Sequence, residues 1–177
     1  MTEPQADRAD AFATDIATSA ESFGASLAAW GTTIEAIDPA HATCFAGLGS
    51  SRSAAIFVAA HLRAAGRRAW VEHASGAGTG TLPASDLAFV AISSSGRTPE
   101  VVEAARAHRG TSHVIAVTNR PESPLAAVAD RVVALGAGEE TSGIACRTFR
   151  ATIAALALLG GVDPGTLGDR DRRGGDR

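Results

Sequence analysis

Over residues 12–37 the apolar positions fall at Phe12, Ile16, Ala20, Phe23, Leu27, Trp30, Ile34 and Ile37, in steps of three and four. That spacing lines one face of a helix. Thr18 and Glu21 stand at the spacing of a capping box, and Gly24 and Gly31 are weak points. The stretch therefore predicts two or three helices, ended by Asp38-Pro39. Beyond it the period changes. Short apolar runs at 43–48, 69–72, 87–92, 114–117 and 131–135 predict five strands. Helical stretches are predicted at 53–65, at 99–108, where Pro99 suits a first turn, and at 144–159, with a short helix from Ser123-Pro124 to near Asp130.

Strands alternating with helices predict a parallel sheet covered on both faces, an α/β three-layer αβα sandwich preceded by N-terminal helices. The expected organisation is a helical segment over 1–40, one α/β domain over 41–162, and a charged tail over 163–177 whose composition suits disorder. Parallel sheets of this kind bind ligands beyond the carboxyl ends of their strands. The segments after the first and third strands are the places to look for chemistry.

Composition removes several classes. A net charge of −3 gives no basic surface for nucleic acid, so no nucleic-acid partner is expected. All 16 basic residues are arginine, and a chain without lysine cannot form a lysine Schiff base. Two cysteines, Cys44 and Cys146, are too few for a zinc site or a disulfide framework; they are expected as buried, reduced thiols. No metal and no cofactor is called for. No apolar run is long enough to cross a bilayer, and the acidic N-terminus has no signal-peptide pattern, so a cytoplasmic protein without membrane attachment is expected.

Two constellations carry candidate chemistry. Gly47-Leu48-Gly49-Ser50-Ser51-Arg52 joins a strand to a helix. Glycines permit a sharp turn there, and a helix N-terminus offers free N–H groups to an anion. The segment also resembles part of a dinucleotide-binding fingerprint, with Glu72 downstream. Arg52, however, occupies the third glycine position, where a side chain obstructs packing of helix on strand. The second constellation is Ser93-Ser94-Ser95-Gly96-Arg97-Thr98, followed by Pro99-Glu100. One hydroxyl suffices for a helix cap, and this segment has four, which together with backbone N–H groups suit phosphate oxygens.

The order of these motifs resembles the sugar isomerase (SIS) domain family, whose fold is a flavodoxin-like parallel sheet. The glycine–serine turn at 47–51 is followed by Ser-x-Ser-Gly-x-Thr at 93–98, by Val117-Thr118-Asn119 with Ser123-Pro124-Leu125-Ala126, and by a segment at 140–149 that opens the last helix. The chain resembles in particular the first isomerase module of glutamine–fructose-6-phosphate aminotransferase. The resemblance implies a sugar-phosphate ligand, most naturally a hexose phosphate. It implies Ser51, Ser93, Ser94, Ser95 and Thr98 as contacts, with Gly49, Ser50, Gly96 and Arg97 in the same loops and residues 140–145 covering the sugar. Arg97 stands where relatives commonly carry glutamate, and Ser94 where they carry glutamine. The family's acid/base glutamate and its C-terminal lysine have no counterpart, because the 53–65 helix holds no carboxylate and the chain no lysine.

The remaining acid/base candidates are Glu72 and His73 at the end of the second strand and Glu140 in the loop before the last helix. A histidine titrates near neutrality and a carboxylate can be tuned upward, as a proton shuttle between sugar carbons requires. Two functions follow: a phosphosugar isomerase or isomerase module, acting on ketose and aldose phosphates, or a noncatalytic sugar-phosphate sensor or regulatory subunit. A dinucleotide-binding domain is the third, disfavoured by Arg52. The apolar N-terminal stripe exceeds what one sheet needs for cover, so a homodimer or pairing with a second SIS module is expected, through the N-terminal helices and the faces near Phe57 and Leu62.

Overall fold

The computed structural model describes residues 10, 12–30, 33–75, 80–138 and 146–167. Five strands form one all-parallel sheet: β1 (Ala42–Gly47), β2 (Ala69–His73), β3 (Leu87–Ile92), β4 (His113–Thr118) and β5 (Arg131–Ala134), in the order β2-β1-β3-β4-β5. The helices are α1 (Ser19–Trp30), α2 (Gly49–Ala64), α3 (Pro99–His108) and α4 (Cys146–Leu159). β1 and β3 are buried at every residue, and β4 at every residue after His113, because helices cover both faces. That is why these strands read as unbroken apolar runs rather than as alternation. On one face Phe45, Val90, Ile92, Ile115 and Val117 pack with Val58 and Leu62 of α2 and Leu156 and Leu159 of α4. On the other, Cys44, Phe89, Val114 and Ala116 pack with Val101 and Ala105 of α3.

Three local expectations are corrected. The helix expected from Ser53 begins at Gly49, so Ser50 and Ser51 lie in its first turn rather than in a loop. Gly49 reverses the chain in one residue by adopting φ +54°, which only glycine does cheaply. The short helix expected at 123–130 is a single 3-10 turn, Ala126–Val128. Gly24 does not break a helix but lies inside α1, where tertiary packing outweighs its propensity cost of about 1 kcal/mol. The turn comes at Thr18 instead, between helical residues 12–17 and α1.

The N-terminal stripe is largely used within the chain. Trp30 and Ile37 are buried in the first core, and Phe23, Leu27 and Ile34 pack against it. The indole Nε1 of Trp30 donates to the Ala134 carbonyl at 2.8 Å, and Arg131 donates to the Glu35 carbonyl at 2.8 Å. These contacts bring the N-terminal segment onto the outer edge of β5, where unpaired backbone groups need cover. The surplus deduced from the stripe is therefore small: Ile16 is exposed, but Leu62 is buried in the chain's own core and offers no face to a partner.

The α3 face carries a buried histidine. His108 stacks on Phe89 with ring centroids 3.8 Å apart, and its Nδ1 lies 3.1 Å from Ser112 Oγ. Burial pushes its pKa below 6.5, against a smaller upward pull from its hydrogen bond to the Thr81 backbone. The folded state thus disfavours the proton that the unfolded chain accepts below about pH 6.5. This contribution to stability is complete above that pH and is lost as pH falls through the folded pKa. Urea unfolding should show the wild type losing more stability than His108→Phe between pH 7.5 and 5.5. Equal losses would remove His108 as the titrating group.

Candidate functional site

The carboxyl ends of β1, β2 and β3 lie side by side, with Gly47 paired to His73 on one side and to Ile92 on the other. β1 passes into α2 through Leu48 alone, whose side chain makes no cap hydrogen bond. The N–H groups of the first turn of α2 therefore face this end of the sheet without a side-chain acceptor at the cap position, a local positive pole. A Cβ at Gly47 would stand 3.3 Å from the Ile92 carbonyl and 3.4 Å from Ser51 Cβ. The glycine lets the first turn of α2 close against the end of β3, one residue before Ser93.

The 93–98 loop holds its own shape. Ser93 is buried, and its Oγ lies 2.9 Å from Thr98 Oγ1 and accepts from the Gly96 N–H at 3.1 Å. Ser95 Oγ accepts from the Arg97 N–H at 3.2 Å. The loop is also tied to the turn after β4: the Ser94 carbonyl accepts from Thr118 Oγ1 and from the Asn119 N–H, and the Gly96 carbonyl from the Leu125 N–H. Each hydroxyl retains bonding capacity, since an O–H both donates and accepts. Ser94, Ser95, Arg97 and Thr98 keep exposed surface, as do Ser50 and Ser51 in the first turn of α2.

The turn after β4 contributes side chains that were not singled out as site residues. Ser95, Arg97, Arg120, Glu122 and Ser123 line one cleft of about 400 Å³. The segment containing Ser123 was visible in the sequence as a family motif, but its approach to Gly96 was not. A second cleft, of about 410 Å³ between α1 and β5, has Trp30, Ile34, Val133 and Leu135 in its wall and lies away from the serine loops.

Glu72 and His73 sit where expected, at the end of β2. The Glu72 carboxylate accepts from Thr81 Oγ1 at 2.9 Å, and that hydroxyl accepts in turn from Trp70 Nε1 at 2.9 Å. Cys44 Sγ lies 3.6 Å from the same hydroxyl, and burial pushes its thiol up to about 12, so it is an inert thiol. Cys146, expected to be buried as well, is only half-buried at the start of α4. His73 is exposed, with Nδ1 2.7 Å from Ser75 Oγ. Glu140 and the rest of the 140–145 loop lie outside the described residues, as does the tail from 168 onward. Among the described residues no cluster of acidic, histidine and cysteine side chains could hold a metal, and no helix is long and apolar enough to cross a membrane.

A protein-family model, the SIS domain, matches residues 36–160, most of the chain and the whole sheet. The chain belongs to the SIS domain family. No curated protein matches the sequence significantly. Among solved structures, the SIS fold here is similar to the C-terminal domain of glucosamine-fructose-6-phosphate aminotransferase from Francisella tularensis, at TM-score 0.70 and 19% identity over 90% of this chain and 48% of that one. It is similar to the NanR protein of Vibrio vulnificus complexed with ManNAc-6P, at TM-score 0.59 and 24% identity over 87% of this chain and 62% of that one. It is similar also to a protein from Methanococcus jannaschii whose crystal structure infers a function of 3-hexulose-6-phosphate isomerase, at TM-score 0.69 and 18% identity over 89% of this chain and 97% of that one. The chain thus spans about half the length of the aminotransferase domain.

Proposed function

We propose that this SIS domain binds a sugar phosphate, a hexose phosphate by preference, at the carboxyl end of its sheet and serves as a phosphosugar isomerase or an isomerase module. The observation that carries the reading is the meeting of two anion-suited segments at one mouth. The uncapped first turn of α2, with Gly49, Ser50 and Ser51, closes on the end of β3, where the 93–98 loop begins. In the proposed complex Ser51, Ser94, Ser95 and Thr98 bond the phosphate, Ser93 and Gly96 hold the loop in shape, and Arg97 adds charge at the rim. The likeness to a protein complexed with ManNAc-6P, and to one with an inferred hexulose-phosphate isomerase function, supports the ligand class. Isomerisation needs a base that takes a proton from the carbon beside the carbonyl and returns it to the neighbouring carbon, across an enediolate. His73 and Glu140 are the proposed shuttle residues, with Glu72 the weaker candidate because its carboxylate already accepts from Thr81.

That engagement, together with a carboxylate-free α2, favours a second reading: a noncatalytic sugar-phosphate sensor or regulatory subunit. In either case we propose pairing with a second copy or a second SIS module. The exposed Ile56 and Phe57 on α2 support an α2-centred contact.

Calorimetry with fructose 6-phosphate, ManNAc-6P, ribose 5-phosphate and the unphosphorylated sugars tests the ligand class. The Ser95→Ala/Thr98→Ala double variant should weaken phosphate-ester binding by about 1–3 kcal/mol, the cost of stranding charge-assisted hydrogen bonds. Unchanged affinity in the double variant, or wild-type protein indifferent to every phosphorylated sugar, would sink the assignment. A coupled isomerase assay on whichever sugar binds separates catalyst from sensor.

A further inference from the structure

Four arginines among the described residues have a buried Nε without a hydrogen-bond partner: Arg52, Arg67, Arg131 and Arg147. In three of them the rest of the guanidinium is held. Arg67 donates to the carbonyls of Gly160 and Ile37, Arg131 to that of Glu35, and Arg147 to the Asp15 carboxylate. Arg52 differs: its guanidinium makes no hydrogen bond or ion pair with any described residue. Only its Nε is buried; its terminal N–H groups, unbonded among the described residues, still meet solvent and are available to an anion.

Its placement says where that ligand sits. Arg52 follows Ser50 and Ser51 in the first turn of α2. Its backbone N lies 3.4 Å from the point a Gly47 Cβ would occupy, and that same point is 3.3 Å from the Ile92 carbonyl. Arg52 is therefore anchored where the two serine segments meet. Helical side chains lean toward the helix N-terminus, which for α2 is the carboxyl end of the sheet. No acid stands on α2 to compensate the charge.

We infer that Arg52 is a ligand-binding residue, its guanidinium bonding the phosphate monoester held between the two serine segments and setting a preference for dianions over neutral sugars. The inference rests on the proposal that this crevice binds a sugar phosphate. A planar guanidinium matches two phosphate oxygens with parallel N–H donors and keeps its charge at every working pH. The hydroxyls and amides of the loops supply direction but no net charge, and a protein of net charge −3 needs a local cation to draw in a dianion. Arg52 also occupies the position that spoils the dinucleotide fingerprint, so the substitution that closes one ligand class serves another.

Calorimetry on wild type, Arg52→Gln and Arg52→Lys, with inorganic phosphate, fructose 6-phosphate and fructose at two salt concentrations, tests this. Arg52→Gln should lose about tenfold or more in affinity for both phosphate probes, with a weaker salt dependence, and Arg52→Lys should recover part of the loss. Without ligand, Arg52→Gln should melt close to the wild-type temperature, because the guanidinium makes no bond to a described residue that the change would remove. Wild-type affinity in Arg52→Gln overturns the inference, as does a lower ligand-free melting temperature with unchanged affinity, which would make the residue structural. A change in light-scattering mass with unchanged phosphate affinity assigns Arg52 to a carboxylate of a second copy and equally overturns it. Arg52-dependent binding of inorganic phosphate without binding of the sugar phosphate would uphold Arg52 and remove the sugar reading. Wild-type protein that binds neither probe overturns both.

Discussion

Gly96→Ala is expected to destabilise the folded protein by about 2–5 kcal/mol, the sum of left-handed backbone strain and overpacking. Gly96 has φ +61°, and a Cβ there would stand 2.0 Å from Ser123 Oγ, 2.3 Å from Ser123 Cβ and 2.9 Å from Thr118 Oγ1. The hydroxyl could rotate away, but Ser123 Cβ moves only with its backbone. That backbone is fixed: the Ser123 N–H donates to the Arg120 carbonyl, and the Gly96 carbonyl accepts from the Leu125 N–H at 3.0 Å. The two segments can neither part nor interpenetrate. Gly66→Ala is the control, since Gly66 has φ +79° with open space around its Cβ position. It should show the backbone strain alone, about 1–2 kcal/mol. Adding Ser123→Gly to Gly96→Ala should recover much of the difference. Urea midpoints for the three variants decide the matter, and a Gly96→Ala no worse than Gly66→Ala would mean that the close approach of the two loops does not exist in solution.

The strands of this fold were legible because burial on both faces writes itself as unbroken apolar runs, as in Leu-Ala-Phe-Val-Ala-Ile of β3. The second loop was legible through hydroxyl density that no single cap explains. What failed to show were facts of three-dimensional approach. A glycine in sequence does not announce whether it will adopt φ +54° and start a helix, so the sequence pattern starts α2 four residues late. Thr81 lies among small residues with no period, and nothing local shows that it captures Glu72 and Trp70. The apolar N-terminal stripe is helical over 12–17 and 19–30, as its spacing predicts, but Ile34 and Ile37 lie in non-helical chain, and its destination, the β5 edge, depends on contacts more than a hundred residues away in sequence, such as Trp30 with Ala134. In sequence Arg52 reads only as an obstruction, because which groups its guanidinium meets among the described residues is a fact of three-dimensional placement.

The same N-terminal segment makes the remaining large prediction, on Asp15→Ala. Asp15 is 2% exposed, and its Oδ1 accepts from Arg147 Nη2 at 2.8 Å, joining helical residues 12–17 to the first turn of α4. Both side chains are withdrawn from water, at 3% and 12% exposure. Removing the carboxylate alone takes from a buried guanidinium the charged acceptor 2.8 Å away, and breaking one side of a buried pair costs about 3–5 kcal/mol. Replacing both charges by apolar groups avoids that penalty, so Asp15→Ala/Arg147→Met should be more stable than Asp15→Ala and come close to wild type. The exposed pair Arg68–Asp86, at 3.3 Å with side chains 60% and 65% exposed, provides the contrast. Asp86→Ala should cost under about 1 kcal/mol, because solvent already screens that pair. Thermal and urea unfolding of wild type and the three variants checks the ordering. A double variant as unstable as the single would show that the charge pair is not the source of the loss. An Asp15→Ala indistinguishable from wild type would show that the helix over 12–17 is not anchored to α4 in solution. The expected ordering would instead make Arg147 the clamp between the N-terminal helices and the start of α4.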